Sequence, residues 1–501
     1  MASRNTVRIV PTKIKNNQTP EFAGDYVLDK VVLINHTGQR IDIKFIMTEL
    51  NIYESIYNNA VTGSIVIGDT KNQISRMEIQ GLERIAFHLK TPGITYRKED
   101  VIDASEETGE PFHVYKITDR KQANTGVIAY TLHFASREFM RNLRTKVSQA
   151  YDGKCDRAVI NIMKDKNYLD SRKKLHVEPT GNSLKFVVPN LNPFDAINMI
   201  ANKSLPEKSK GAGYFFYETT GGFYFRSWQS MITNQGEFAR PPKQQFYYQP
   251  LRMGSDSKAT NQDKIEREYE TVEQYEFVNN FHDVAANTVL GTYGHRVISH
   301  NLFDKSYDIA DYNFHNEYRR TPHTDTIGYG SNNKFPVMDT PVDYDNVDNA
   351  SDYPESRVSL QTTTPFLHDK DVGTYGLDAQ VDGEKTGQGI SQTNQVVNGT
   401  ALRMIVKGQS YIQAGDLIEF NLRDVNLDGD PKEPNDPRFS GNYVITKIRH
   451  QVTKYKYRMI LECAKDSVAT SYQDLAPNPH LNVHETSRSF ELEEIDGDIY
   501  T

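Results

Sequence analysis

The sequence predicts a β-rich α+β fold: two antiparallel β-barrels, an inserted α+β module and long extended loops. Three observations carry this. Apolar and polar residues alternate through residues 41–134 and again through 399–465, the period of a half-buried strand. Between these stretches, residues 136–235 mix helix-period stripes with an aromatic hairpin. The 501-residue chain is polar, with 37% hydrophobic residues and a mean hydropathy of -0.65, yet 11% aromatic content argues against wholesale disorder.

Residues 1–25 read as a polar arm, and 1–135 as the arm plus the first barrel. Ile41, Ile43, Phe45 and Met47 alternate; Asn58-Asn59 marks a turn; Val61, Gly63, Ile65 and Ile67 resume. Ile85, Phe87 and Leu89 follow, then a hairpin pair over 112–117 and 128–134. Residues 136–235 form the inserted module. Ser136 starts a helix carrying Phe139, Met140, Leu143 and Val147. Cys155, Ala158, Val159, Ile162 and Met163 make a helical stripe, and Asn192-Pro193-Phe194-Asp195 opens another helix. A hairpin over 213–228 turns at Gly221-Gly222.

Residues 236–302 begin the second barrel; 268–279 suit helix or strand, and 287–294 strand and turn. Residues 303–398, rich in Asp, Tyr, Asn, Thr and Gly, read as an extended insertion contacting neighbours, with short strands; the alternative reading is disorder in the free subunit. Residues 399–465 complete the second barrel, and 466–501 form an acidic tail. One internal echo stands out: 114–117 with 130–136 resembles 444–448 with 457–464, two hairpins that each close a β-rich stretch.

A net charge of -8 disfavours tight nucleic-acid binding, which needs a basic stripe. Two cysteines, Cys155 and Cys463, exclude a disulfide framework. The first residues show no signal-peptide pattern, and no run approaches the ~20 apolar residues of a membrane span, so stable membrane insertion is not expected. Residues 424–430 match half of a calcium loop, but Asn435 stands where the bidentate acid belongs. His113, His133 and His450 lie in strand patterns, and His282-Asp283 and His295 form no ligand spacing. No nucleophile elbow, P-loop or dinucleotide fingerprint is present. The aromatic strip at 214–228 reads as hairpin core before it reads as a sugar platform. No catalytic, cofactor-binding or metal-ligating residue is assigned, and no cofactor is expected.

Residues 47–69 (MTELNIYESIYNNAVTGSIVIGD) resemble the opening barrel of baseplate central hub proteins of contractile-tailed bacteriophages. The pattern continues at 79–83, 89–93, 112–117, 130–138, 188–194, 213–218 and 225–227, and a second barrel is similar at Gly408, 414–416 and 440–445. The resemblance covers roughly 41–228 and 399–465. It implies two tail-tube-like barrels per chain and a homotrimer forming a pseudo-six-fold ring. The implied partners are the tail tube protein, the central spike protein, the surrounding baseplate wedge proteins, the tape measure protein, and DNA in transit. The implied place is the virion tail baseplate, assembled in the host cytoplasm, and the role is structural, not enzymatic. The rival readings are the hub of a related contractile injection or secretion machine, a carbohydrate-active β-rich enzyme, and a receptor-binding tail fibre.

Overall fold

The computed structural model describes residues 20–70, 72, 76–93, 101–107, 109–124, 126–207, 213–233, 244–248, 261–279, 283–300, 305, 307–318, 321–325, 350–362, 368–369, 383–423, 435–436 and 438–468. The chain opens with β1 (Val27–Ile34), β2 (Arg40–Asp42), β3 (Met47–Ser55), β4 (Thr62–Asp69), β5 (Arg84–Lys90), β6 (Ile102–Asp103), β7 (Phe112–Asn124) and β8 (Val127–Ala135). They pair in the order β3-β4-β8-β7-β5-β1-β2, with β6 beside β5. Leu50, Ile52, Ile65, Ile85, Phe87, Val114, Leu132 and Phe134 bury one face. The alternation at 41–47 is not one strand. The Ile46 and Met47 N–H groups both donate to the Ile43 carbonyl, so the chain turns there and leaves Phe45 90% exposed.

The inserted module holds α1 (Arg137–Asn142), β9 (Val147–Lys154), α2 (Cys155–Lys164), β10 (Leu175–Val177), β11 (Ser183–Leu191), α3 (Pro193–Ala201), β12 (Tyr214–Thr219), β13 (Gly222–Ser227) and α4 (Trp228–Thr233). The stripe Cys155, Ala158, Val159, Ile162 and Met163 is buried as its spacing predicts. The helix after Ser136 stops at Asn142, and Val147 belongs to β9 instead. At α3 the expected cap, Asn192, makes no side-chain bond; Asn142 Oδ1 accepts the Phe194 N–H at 2.8 Å. Phe216, Phe223 and Phe225 are buried in the module core, while Tyr217, Tyr224 and Trp228 share a second cluster with Ile56, Leu417 and Val444. Most of the hairpin aromatics are therefore packing groups, with Phe215 alone among these rings half-buried, edge-on to Tyr57.

The chain then runs through β14 (Gln245–Tyr248), α5 (Asn261–Tyr269) and β15 (Val272–Asn279), so 268–279 contains a helix end and a strand. Next come α6 (Val284–Val289), β16 (Gly294–His300), β17 (Tyr307–Asn313), α7 (Phe314–Tyr318), two 3-10 turns at Ala350–Asp352 and Pro354–Ser356, β18 (Val358–Thr362), β19 (His368–Asp369) and α8 (Gly383–Asn398). The stretch read as strand from 287 begins as helix, because Asp283 caps it by accepting the Ala286 N–H at 3.0 Å. β17 and β18, inside the span read as extended, flank β16, from the stretch read as the start of the second barrel, in a separate sheet, and α8 packs against it. The chain returns through β20 (Thr400–Lys407), β21 (Leu417–Leu422), β22 (Gly441–Thr453) and β23 (Tyr457–Lys465).

Both β units lie in one 14-stranded sheet, joined where β22 meets β3. Register shows that the units are copies of one plan. β7 and β22 each have 13 residues, and β8 and β23 each have 9. In both hairpins the register slips by one residue at the same place, between Val114 and Lys116 and between Ile445 and Lys447. Carrying that alignment outward places Ile85, Phe87 and Leu89 of β5 on Ile418, Phe420 and Leu422 of β21. It also equates β4 with β20 and β3 with β15.

One cross-strand pair has exchanged large for small. Gly63 faces Phe134 in the first unit, and Leu402 faces Cys463 in the second. A Cβ on Gly63 would collide with the Phe134 ring and with the Asn51 carbonyl oxygen. Gly63→Leu alone is expected to destabilise by about 1–3 kcal/mol through overpacking. Combined with Phe134→Cys, the loss should be less than the sum of the two single losses, by about 0.5–3 kcal/mol. A urea-denaturation double-mutant cycle measures both quantities.

Candidate assembly interface

The sheet has a polar face opposite its core, and cross-strand charge pairs cover it. Along the β22–β3 joint, Lys447 to Thr453 run opposite Ser55 to Glu49. Arg449 reaches Glu49 at 3.1 Å and donates to Asn51 Oδ1 at 2.9 Å, and Gln451 donates to Glu49 at 2.9 Å. Farther along, Arg403 and Lys447 share Glu462 at 2.9 and 2.7 Å. Lys407 and Arg458 share Glu273 at 2.5 and 3.0 Å.

Two clusters built on buried carboxylates tie the inserted module to the sheet. Glu54, on β3, is 1% exposed; its carboxylate accepts the N–H of Thr220 at 2.8 Å and of Ala414 at 3.0 Å. His450 Nε2 lies 3.8 Å away, and its Nδ1 contacts the Tyr457 hydroxyl at 2.7 Å. Burial pushes the Glu54 carboxyl up, but His450 and the two N–H donors outweigh it and hold the group below the usual range. The second lock is Lys173, whose ammonium lies 2.5 Å from Glu218 and 3.4 Å from Glu138. The Val61 N–H, just before β4, donates to Glu218 at 2.8 Å and the Ser171 hydroxyl to Glu138 at 2.6 Å, so the cluster joins the start of β4 to α1 and β12. Burial drives Glu218 up to about 6. Burial also opposes ionisation of Glu138, yet Lys173 and Ser171 carry it below its ordinary value.

Among the described residues, two strands of this sheet have a largely unpaired side. β5 covers β7 only at Phe112 and His113, so from Tyr115 onward β7 presents Tyr115, Lys116, Asp119, Arg120 and Lys121 as exposed residues. At the other end of the strand run β15-β20-β23-β22-β3-β4-β8-β7 lies β15, which carries Glu273, Glu276 and Val278; Glu273 reaches inward to Lys407 and Arg458, and Glu276 lies 3.9 Å from Arg403. One edge is mostly basic and the other acidic. By the duplication, β7 corresponds to β22 and β15 to β3, so the open edges are the counterparts of the two strands that form the internal joint. The sequence pattern singled out neither Lys116, Arg120, Glu273 and Glu276 nor Glu54, Lys173 and Glu218; extending the 114–136/444–464 echo strand by strand would have marked the edges.

The other sequence candidates fall apart in space. His450 belongs to the Glu54 lock, His133 contacts the Thr118 hydroxyl at 2.8 Å, and His295 stacks on Tyr312. His113 is half-buried, and burial with Arg84 nearby lowers its pKa. The 424–430 loop and His282 lie outside the described residues. Cys155 and Cys463 are free and buried. Among the described residues, no cluster of three or more His, Cys, Asp or Glu is placed to hold a metal ion, and no helix is long and apolar enough to cross a membrane.

No family model and no curated protein matches the sequence. Solved structures do. A tail protein from Neisseria meningitidis MC58 is similar at 10% identity over 88% of this chain and 97% of its own, with a TM-score of 0.46. The 43 kDa tail protein of prophage MuSo2 from Shewanella oneidensis is similar at 9% identity over 87% and 98%, with a TM-score of 0.45. An E. coli component of the type VI secretion system is similar at 8% identity over 85% and 75%, with a TM-score of 0.39.

The Lys173 cluster sets a pH dependence. Because the folded-state pKa of Glu218 lies above the ordinary 4.5, its contribution is present at low pH and is lost as pH rises through about 6. Lys173→Met is therefore expected to destabilise by about 3–5 kcal/mol at pH 8, where two buried carboxylates lose their cation. The loss should shrink at pH 5, where Glu218 takes up a proton. Urea unfolding at the two pH values measures the difference, and an equal loss at both would contradict the assignment.

Proposed function

We propose that this chain is the structural hub subunit of a contractile phage tail baseplate. Three copies close head to tail into a pseudo-six-fold ring that joins the hexameric tail tube to the trimeric central spike and lets DNA pass on ejection. Wedge and tape measure proteins contact its other surfaces, and the chain works by holding and conducting, without catalysis. One observation carries the reading: the chain already contains the joint it needs. β22 pairs with β3 inside the chain, and their counterparts β7 and β15 are the open edges. Pairing β7 of one copy with β15 of the next repeats the internal joint at every junction, and a ring in which every edge is covered closes without a free template for aggregation.

In that ring the polar face lines the bore, because the buried apolar side chains of the strand run gather in the core on its other face. That bore is mixed in charge. The face carries Lys116, Arg403, Lys407, Lys447, Arg449 and Arg458 against Glu49, Glu273, Glu276 and Glu462. Most of these cations are held against carboxylates, and that pairing limits what they offer to phosphate.

The purified chain, alone or with spike, should have the mass of a trimer in native mass spectrometry. Lys116→Glu with Arg120→Glu should shift it toward monomer, and adding Glu276→Lys should restore part of the trimer. A monomer at every concentration, with or without spike, would refute the ring.

A further inference from the structure

The turn that leads into β5 has a twin before β21. Gln80-Gly81-Leu82-Glu83 precedes Arg84, and Gln413-Ala414-Gly415-Asp416 precedes Leu417. In each, the acid closes the turn by accepting the N–H of the glutamine, at 2.6 Å in the first unit and 2.9 Å in the second. In each, the acid's own carbonyl accepts an N–H from the next strand, that of Val114 at 2.8 Å and of Ile445 at 2.9 Å. Val114 and Ile445 are where the two register slips begin, so Tyr115 and Thr446 are counterpart bulge residues.

The two turns differ in what they hold. The second is a seat filled from inside the chain. Gln413 accepts the Thr219 hydroxyl at 2.8 Å, and Tyr217 packs so closely that a Cβ on Gly415 would collide with its hydroxyl. Ala414 and Leu417 are buried with Tyr217, Trp228 and Ile56. The first turn carries Leu82 in the place of Gly415, and Leu82 is 66% exposed. Tyr115, beside Gly81, is 40% exposed, and its ring lies 5.9 Å from that of Phe139 on α1. A bare leucine and a half-bare tyrosine thus stand where the second unit has a filled seat.

The duplication indicates what fills it. Inside the chain, β3 runs past β22 and ends beside the second seat, where the Ile56 N–H donates to the Thr446 carbonyl at 3.0 Å and the Ile56 side chain enters the cluster. The counterpart of β3 is β15. Asn279 is in line with Tyr53, since their cross-strand partners Ala401 and Thr62 face Ala464 and Ala135. Ile56 follows Tyr53 by three residues, and Val284, the first residue of α6, follows Asn279 by five. Helix α6 therefore opens about 7 Å of chain beyond the rung that would meet Tyr115 of a neighbouring copy. It turns Val284, Ala285 and Val289 outward over one arc, with Asn287 buried on the opposite side. Val284 is 40% exposed and Val289 73%.

We propose that α6 of one copy docks on the Leu82–Tyr115 seat of the next, with Val284 and Val289 against Leu82. Each junction between copies then gains the apolar plug that the module hairpin supplies at the internal joint. This contact rests on the ring proposed above and lies outside its strand pairing. Leu82 sets the specificity: it takes the space that Tyr217 needs at Gly415, so the seat accepts a short aliphatic helix face and rejects the module hairpin of another copy.

Two single-cysteine variants, Leu82→Cys and Val284→Cys, carry the test, because Cys155 and Cys463 are buried and leave the introduced thiols accessible. Mixed, assembled and treated with a short bis-maleimide, they should give a cross-linked pair containing one copy of each, and either variant alone should give none. A trimer in native mass spectrometry that yields no such pair would overturn the contact and leave the ring standing. A mixture that stays monomeric would overturn both. Leu82→Asp, at an exposed site, should leave the urea midpoint of the dilute chain unchanged while raising the apparent dissociation constant of the trimer about tenfold. Val289→Asp should do the same, and the two together should raise it by less than the product of the separate effects. An unchanged dissociation constant in both variants would also overturn the contact.

Discussion

The antiparallel joint between β22 and β3 is the constraint on which the rest of the molecule hangs. It ties the beginning of the chain to its end: Arg449 bonds Asn51 across 398 residues. A one-residue slip there would turn the core side chains of a whole strand to the polar face. It would also withdraw Glu54 from the Thr220 and Ala414 N–H groups, leaving buried donors without acceptors. The joint thus fixes the sheet register and the seat of the inserted module at once. Contacts this distant in sequence form late and slowly, which makes the two hairpins β7–β8 and β22–β23 the natural early structures.

The two β units keep a common backbone while their packing has drifted. The shared register slip and the Ile-Phe-Leu triplets of β5 and β21 are retained. The Gly63–Phe134 and Leu402–Cys463 pairs fill equivalent space in opposite ways. Such an exchange keeps volume roughly constant, which is what a close-packed interior tolerates best.

Much of the architecture was legible because strands that bury one face advertise it. The hairpins at 112–135 and 441–465, the aromatic hairpin and helix α2 follow from local period alone. The misreadings share a cause, which is that tertiary contacts overrode local pattern. Ile43 and Phe45 alternate like a strand, yet the chain turns between them and Phe45 points outward. Helix α8 contains Gly383, Gly387 and Gly389 and only three aliphatic residues in 16, so its stability comes from packing against β16 and β17, and its sequence looks like loop. The candidate interface was least legible. Lys116, Arg120 and Glu276 look like any solvated charges until the duplication shows which strand each one borders.

The placement of the large insertion has a practical side. In the first unit a short turn links β3 to β4; in the second, the corresponding strands β15 and β20 are linked by more than a hundred residues. Yet Asn279 and Ala401 remain neighbours across one rung, about 5 Å apart. But the excursion is clasped to its base, where Asp325 meets the buried Lys465 ammonium at 2.8 Å and Asp466 holds His323 and Thr324; any cargo exchanged into this loop has to keep that clasp or strand the Lys465 charge.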